Sequence, residues 1–531
     1  MAKNATIIGA GIALAVIIAV IVVFGISMPS SVDDEGVTDT LSRNIEGLDL
    51  AKTFDVIELS DGDFFKLEAK PVVKDIDGNL IRMYGYNGQI PGPLLKVKQG
   101  SEIFVDFTNN IDLKTTIHWH GLRLDNDSDG VPGITQEPIE PGESFLYSLK
   151  FPDDGIYFYH PHIKTGLQME LGLYGTILVE PVSFDYNPVD KEIVLTLDDI
   201  KIVDGDVDVF SKDHVNHSLM GRFGNTMFVN GETDYILDVK EGEIVRFYLV
   251  DPANTRIFNF SIKEHQLKLI GSDIGRHQRE SLVDSVMIAP GERQIIEVLF
   301  DSPGTFTILH TTPEKNYILG TINVKASSNS SNEFSFYDLK ENKDVVAGFE
   351  PFKKYFLKPP DLEINLTLET SMMMDEMEPG DKMMDEMETG DKMMEEMEHA
   401  IEWEDVMPVM NRMSTNENTK WILREKDSGK ENYDIGYQAN VGDVKKFRFF
   451  NDPNSAHPMQ HPIHLHGQRF IVVSENGNTN DNLVWKDTVL LPAGSTVDII
   501  VDFTNPGVWV MHCHILEHVE SGMITAITVN S

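Results

Sequence analysis

At 531 residues the chain is too long for one ordinary domain, and a hydrophobic fraction of 41 % with 28 Phe is enough for sizeable cores. Lys and Arg number 44 against 85 Asp and Glu, a formal net charge of −41 at pH 7. Such a surface repels nucleic acid and anionic lipid and draws cations. A single Cys excludes an internal disulfide and leaves Cys513 free for a soft metal.

Residues Ala5 to Met28 carry no charge and are rich in Ile, Val and Ala, a run long enough to span a bilayer as a helix. Lys3 precedes it and Asp33, Asp34 and Glu35 follow, which keeps the N-terminus in the cytoplasm and puts the rest outside. Without a clear small-x-small cleavage site, residues 1–28 read as an uncleaved membrane anchor. A cleaved signal and secretion are the alternative. The expected location is extracytoplasmic, at the cell surface or in a periplasm-like space. Residues 29–50 are polar and acidic and read as a tether.

From about Lys52 short alternating strands recur, punctuated by Gly, Pro and Asn, the pattern of all-β sandwiches. Three features repeat in the same order. A Gly-acid turn before a strand occurs at Gly100, Gly242 and Gly442. A Pro/Gly turn occurs at Pro141, Pro290 and Pro492. A Gly-led strand running to histidine occurs at Gly155 to His160, Gly304 to His310 and Gly507 to His512. We expect three homologous β-sandwich domains over 51–183, 184–327 and 328–531. The middle one has Phe258 to Ile262 and His310-Thr311-Thr312 where the others carry paired histidines. It reads as a unit without metal, with His310 packing or at the surface.

Four histidine clusters stand out: His118-Trp119-His120, His160-Pro161-His162, His461-Pro462-Ile463-His464-Leu465-His466, and His512-Cys513-His514 with His518 and Met523 beyond. On a strand, residues i and i+2 point to the same side, so each His-x-His offers two imidazoles to one face. Thiolate, imidazole and a weak axial thioether form the ligand set of a blue-copper centre. A histidine on each side of Cys513 points to further metal one residue away.

With these motifs the chain resembles the three-domain multicopper oxidases over nearly everything after residue 50, including the turn Tyr86-Asn87-Gly88-Gln89-Ile90-Pro91-Gly92-Pro93. The resemblance implies cupredoxin-like Greek-key domains, with the first and third sandwiching the active cluster, and four coppers. By it His461, Cys513, His518 and axial Met523 match the type 1 set. His118 and His464 match the type 2 ligands, and His120, His160, His162, His466, His512 and His514 the type 3 pair. It implies O2 and a reduced metal ion or small organic donor as partners. Cys513 would hold the first copper and its covalent neighbours His512 and His514 the cluster, so the backbone bridges donor to acceptor. Met523 would keep the type 1 potential below that of relatives with Leu or Phe there. Asp129 matches the family's acid near the type 2 copper. Bacterial members commonly place Glu after the last histidine, where this chain has Val519. Glu517 or Glu520 is the expected substitute, against a reading of Glu517 as a surface carboxylate or a partner behind a histidine.

A Met-rich insert over 371–413 lies within the third unit, and residues 372–413 hold 13 of the 23 Met. A ten-residue acidic repeat pairs Met373 with Met377, Met384 with Met387 and Met394 with Met397, spacings that share one face of a short helix. Thioethers select Cu(I), and carboxylates suit Cu(II), Fe(II) or Mn(II); Glu404 and Asp405 add carboxylates beside the repeat. The bland alternative is an acidic low-complexity segment whose Met face merely packs. The expected activity is oxidation of Cu(I) or another reduced metal ion coupled to reduction of O2 to water, in copper homeostasis. The alternatives are a laccase-like oxidase of phenols or aromatic amines, and a surface copper-storage protein.

Overall fold

The computed structural model describes residues 42–183, 186–208, 210–211, 214–327, 336–371 and 401–531. The expected anchor at Ala5 to Met28 and the repeat from Met373 to Met397 lie outside them. Among the described residues no helix is long and apolar enough to cross a membrane.

The fold is all-β because apolar residues alternate along most segments. In Glu102–Asn109, Ile103, Val105 and Phe107 are buried while Glu102, Phe104, Asp106 and Thr108 face partly outward. Pairs of sheets follow one another three times along the chain. The first joins a four-stranded sheet (Asn79–Tyr86, Phe64–Ile76, Glu102–Asn109, Ser144–Lys150) to a five-stranded one (Val56–Glu58, Leu94–Lys98, Gly175–Glu180, Gly155–His160, His118–His120). Leu67, Val105 and Tyr147 from one sheet meet Val97, Ile177 and Tyr157 from the other in a single core. The second and third pairs each join six strands to five. Phe247, Ile296, Phe258 and Ile308 fill the second core, and Phe447, Ile499, Ile463 and Met511 the third. These are three cupredoxin-like sandwiches in sequence.

The five-stranded sheets repeat one register. Strand Gly155–His160 pairs with His118–His120, Gly304–Thr311 with Phe258–Ile262, and Gly507–Cys513 with His461–Leu465. His118 thereby faces His160, Phe260 faces His310, and His464 faces His512. The same place in the fold carries paired histidines twice and a phenylalanine once. His310 is fully buried. Its Nδ1 accepts the Asn259 N–H at 3.0 Å and its ring lies against Phe258 and Tyr317, so it packs.

Candidate metal centres

Of the four His-x-His pairs, only His118 and His120 lie whole within one strand. His160, His464 and His512 sit in strands, and their partners His162, His466 and His514 lie just past the strand ends, where the chain turns. The eight rings nevertheless converge between the first and third sandwiches. His120, His160 and His514 have ring centroids 5.8, 5.4 and 4.9 Å apart. His162, His466 and His512 form a second triad at 5.2, 5.5 and 5.1 Å. His118 and His464 remain, 5.7 Å apart, each stacked on a member of a triad: His118 on His466 at 3.7 Å and His464 on His120 at 3.6 Å.

The outer ring nitrogens fix the inner ones. Nδ1 of His118, His160, His464 and His512 donates to the carbonyls of Asp129, Pro161, Asp487 and Cys513 at 2.9, 2.9, 3.0 and 2.7 Å. This leaves each Nε2 with its lone pair. Nε2 of His118, His160 and His464, Nδ1 of His120 and both nitrogens of His514 are buried and meet no hydrogen-bond partner in the protein. One such atom costs about 1–3 kcal/mol, so a set of them signals a missing partner. Burial, together with neighbouring rings, pushes His120, His160, His162, His466, His512 and His514 well below the usual histidine range, so the rings are neutral and ready to ligate.

A separate site forms where strand Gly507–Cys513 meets His461–Leu465. Cys513 Sγ lies 3.5 Å from His461 Nδ1 and 3.8 Å from His518 Nδ1, and the two nitrogens are 3.3 Å apart. The point equidistant from all three is about 2 Å from each, the length of a bond from a transition metal to imidazole or thiolate. Met523 is fully buried in the same packed cluster as Cys513, and its carbonyl accepts the Cys513 N–H at 3.1 Å. Desolvation drives His461 down to about 3 and the Cys513 thiol up, because both are held away from water.

Multicopper oxidase family models match residues 70–183, 404–531 and 206–330, together more than half of the chain. The chain belongs to the multicopper oxidases. It is 27 % identical over 462 residues to multicopper oxidase mco of Staphylococcus aureus, across 85 % of each chain. It is 26 % identical over 492 residues to the iron transport multicopper oxidase FET3 of Kluyveromyces lactis, across 85 % of this chain and 73 % of that one. The solved multicopper oxidase of Campylobacter jejuni, described as a metallo-oxidase, shares the fold, with a TM-score of 0.67 at 20 % identity over 92 % of this chain and 99 % of that one. As a multicopper oxidase the protein is an O2-dependent oxidoreductase using four coppers, one type 1, one type 2 and a type 3 pair, and its histidine clusters suit them.

The remaining expected residues of this multicopper oxidase fall as follows. Asp129 is buried between His466 and His118, with Oδ2 2.9 Å from His466 Nδ1 and Oδ1 3.3 Å from His118 Nδ1. Glu517 is not at the surface. Short helix Leu516–Glu520 turns it inward, where it accepts from Asn254 Nδ2, the Arg222 N–H and Thr255 Oγ1 at 3.3, 3.2 and 3.4 Å. Among the described residues, none of its hydrogen bonds goes to a histidine. Glu520 accepts the Gly166 N–H at 3.1 Å, and burial raises it to about 7. Glu404 pairs with Arg256 and accepts the Tyr317 hydroxyl, while Asp405 accepts from Asn411 Nδ2 at 3.0 Å.

Three features escaped the sequence reading. Buried Glu402 lies 3.1 Å from His457, which stands four residues before His461; that spacing was the available signal. Trp421 packs against both rings beside Cys513, edge-on to His461 with centroids 4.7 Å apart and tilted on His518 at 4.2 Å. Asp487, 0 % exposed, faces His120 Nε2 at 3.0 Å; an isolated Asp between a Lys and a Thr gives no signal.

Proposed function

We propose that this multicopper oxidase takes its electrons from Cu(I), in the overall reaction 4 Cu(I) + O2 + 4 H+ → 4 Cu(II) + 2 H2O, at an extracytoplasmic membrane face reached through the Ala5 to Met28 anchor. Its role would be copper tolerance. The observation that carries this reading is the roof over the type 1 site. His461 and His518 are 1 % and 0 % exposed. Leu219 and Met220 of the middle unit and Met407 and Met410 of the insert share one packed cluster with Cys513 and Met523. An aromatic substrate needs to approach a ligand histidine, and here neither ring reaches solvent and Trp421 packs against both. Thioethers of Met407 and Met410, with the Glu402–His457 pair beside His461, suit a soft reduced ion. Kinship with a relative named for iron transport is in keeping with a metal-ion donor.

In this reading the type 1 set is His461, Cys513, His518 and Met523, the type 2 ligands are His118 and His464, and the two triads hold the type 3 pair. A copper held by the type 1 set would supply single-electron acceptance, and three held by the histidine cluster would supply the four-electron reduction of O2. Cys513 is bonded through the backbone to His512 and His514, so one strand end spans donor and acceptor. Asp129 orients His466 and, being buried beside His118, is placed to supply protons.

The test is O2 uptake by copper-loaded protein with Cu(I), Fe(II), Mn(II) or a phenol, beside a variant lacking residues 372–400. A deletion reaching residue 413 would also remove Asn411, which pins the roof, so the shorter one isolates the repeat. Preferential Cu(I) turnover that drops on deletion supports the reading. Phenol turnover indifferent to the deletion makes the protein a laccase, and excess Cu(I) bound without O2 uptake makes it a store.

A further inference from the structure

The middle sandwich carries no histidine pair, yet it reaches the trinuclear site. Gly291 adopts φ +85°, and a Cβ there would lie 2.9 Å from His514 Cγ and 3.1 Å from His120 Cε1. Two residues on, Arg293 is fully buried. Its Nε donates to the Ile156 carbonyl at 2.7 Å, on the first-unit strand that ends in His160. Nη1 and Nη2 donate to Oδ1 and Oδ2 of Asp487, in the third unit, at 2.7 and 2.6 Å. One side chain therefore binds all three sandwiches. A guanidinium fork fixes the plane of a carboxylate as well as neutralising it.

That carboxylate faces the ring whose nitrogens are reversed. His118, His160, His464 and His512 all turn Nδ1 outward to a carbonyl. His120 instead turns Nε2 outward, 3.0 Å from Asp487 Oδ1 and 3.0 Å from Thr488 Oγ1, and its buried Nδ1 has no protein partner. A carboxylate only accepts, so Nε2 carries the proton and Nδ1 keeps its lone pair. The Asp487 backbone serves the same site, since its carbonyl accepts His464 Nδ1–H at 3.0 Å.

We propose that Arg293 is a positioning residue for the trinuclear centre: through Asp487 it sets the ring plane and tautomer of His120 and seats the carbonyl behind His464. The sandwich that binds no copper thus decides whether the other two can.

The experiment uses the full chain, copper-loaded, as Arg293→Lys and as Asp487→Asn. An amide has one acceptor oxygen, so Asn at 487 fails either the guanidinium or His120. Readouts are copper per chain, the type 2 EPR signal and the type 3 near-UV band, with the blue type 1 absorbance showing that the third sandwich is folded. Asp153→Asn is the control: Asp153 ties Arg123 to Arg469 across the first and third units without contacting a histidine. We expect both test variants to keep the blue band while type 2 and type 3 copper bind ~10–100-fold more weakly. The control should keep all four coppers even with a lower melting temperature. Unchanged type 2 and type 3 signals in the test variants would overturn the proposal, as would the same selective loss in Asp153→Asn, which would make Arg293 one tie among several. If Arg293→Lys yields no blue protein, Asp487→Asn decides by the same criterion.

Discussion

Cys513 combines two demands in one residue. Its sulfur must meet two imidazoles, and its backbone must place His512 and His514 at a different metal centre. Strand alternation turns His512 to the side opposite Cys513, and the turn just past the strand end carries His514. Cys513→Ser is expected to lose the blue absorbance, which needs the thiolate, and to bring O2 uptake to background while copper analysis still finds about three ions per chain. Met523→Leu should raise the type 1 reduction potential, read by spectroelectrochemical titration, because it withdraws a weak axial donor. Asp198, away from the coppers, makes a pH prediction. Burial raises its carboxyl from 3.8 to about 7. The folded state therefore holds this proton more tightly than the unfolded one. Its contribution to stability is fully present below pH ~4, falls as pH rises, and levels off above about 7. Asp198→Asn should be close to neutral in urea unfolding at pH 4 and stabilising by on the order of 4 kcal/mol at pH 8.

Among the elements, the six-residue helix Pro408–Met413 does more than its length suggests. Asn411, fully buried, accepts the Met220 N–H at 3.0 Å and donates to the Gly221 carbonyl at 2.8 Å and to Asp405 at 3.0 Å. Asn411→Ala strands buried backbone groups of the roof and is expected to cost about 1–3 kcal/mol in urea unfolding. Stopped-flow reduction by a phenol should become faster at the same time, since the type 1 rings lose their cover. Elements of this kind mark where the sequence stops being legible. Strands such as Glu102–Asn109 announce themselves by alternation, and the Gly-led strands by their threefold recurrence, because regular burial writes a regular pattern. The roof has no period. Its contacts join Met220 to Asn411 and Ser218 to Trp421 across about two hundred residues, and each side alone looks like an ordinary turn or helix.

Over the whole molecule, charge and metal govern behaviour. A formal charge of −41 concentrates cations around the protein. Oxidation of a cationic metal donor should therefore slow as ionic strength rises, while turnover of a neutral phenol stays level; initial rates over a salt series check this. Stripping copper should lower the melting temperature, because four ions bind only the folded state; a ligand at a thousandfold its Kd contributes about 4 kcal/mol. The histidine clusters and Cys513 were legible because their residue types are rare and closely spaced. The frame behind them was not, since Arg293 and Asp487 stand 194 positions apart and carry no motif.

That fork between sandwiches bears on recombination. A chimera built by exchanging whole middle sandwiches between oxidases would look conservative, since the copper ligands all come from the flanking ones. Yet the transplanted piece would bring its own side chain to the Asp487 carboxylate and its own backbone to the space that Gly291 keeps open for His514. Crossover points are therefore constrained as a set. Fragments that inherit Ile156, Gly291, Arg293 and Asp487 from one parent remain interchangeable, and a junction separating them breaks the lock between them.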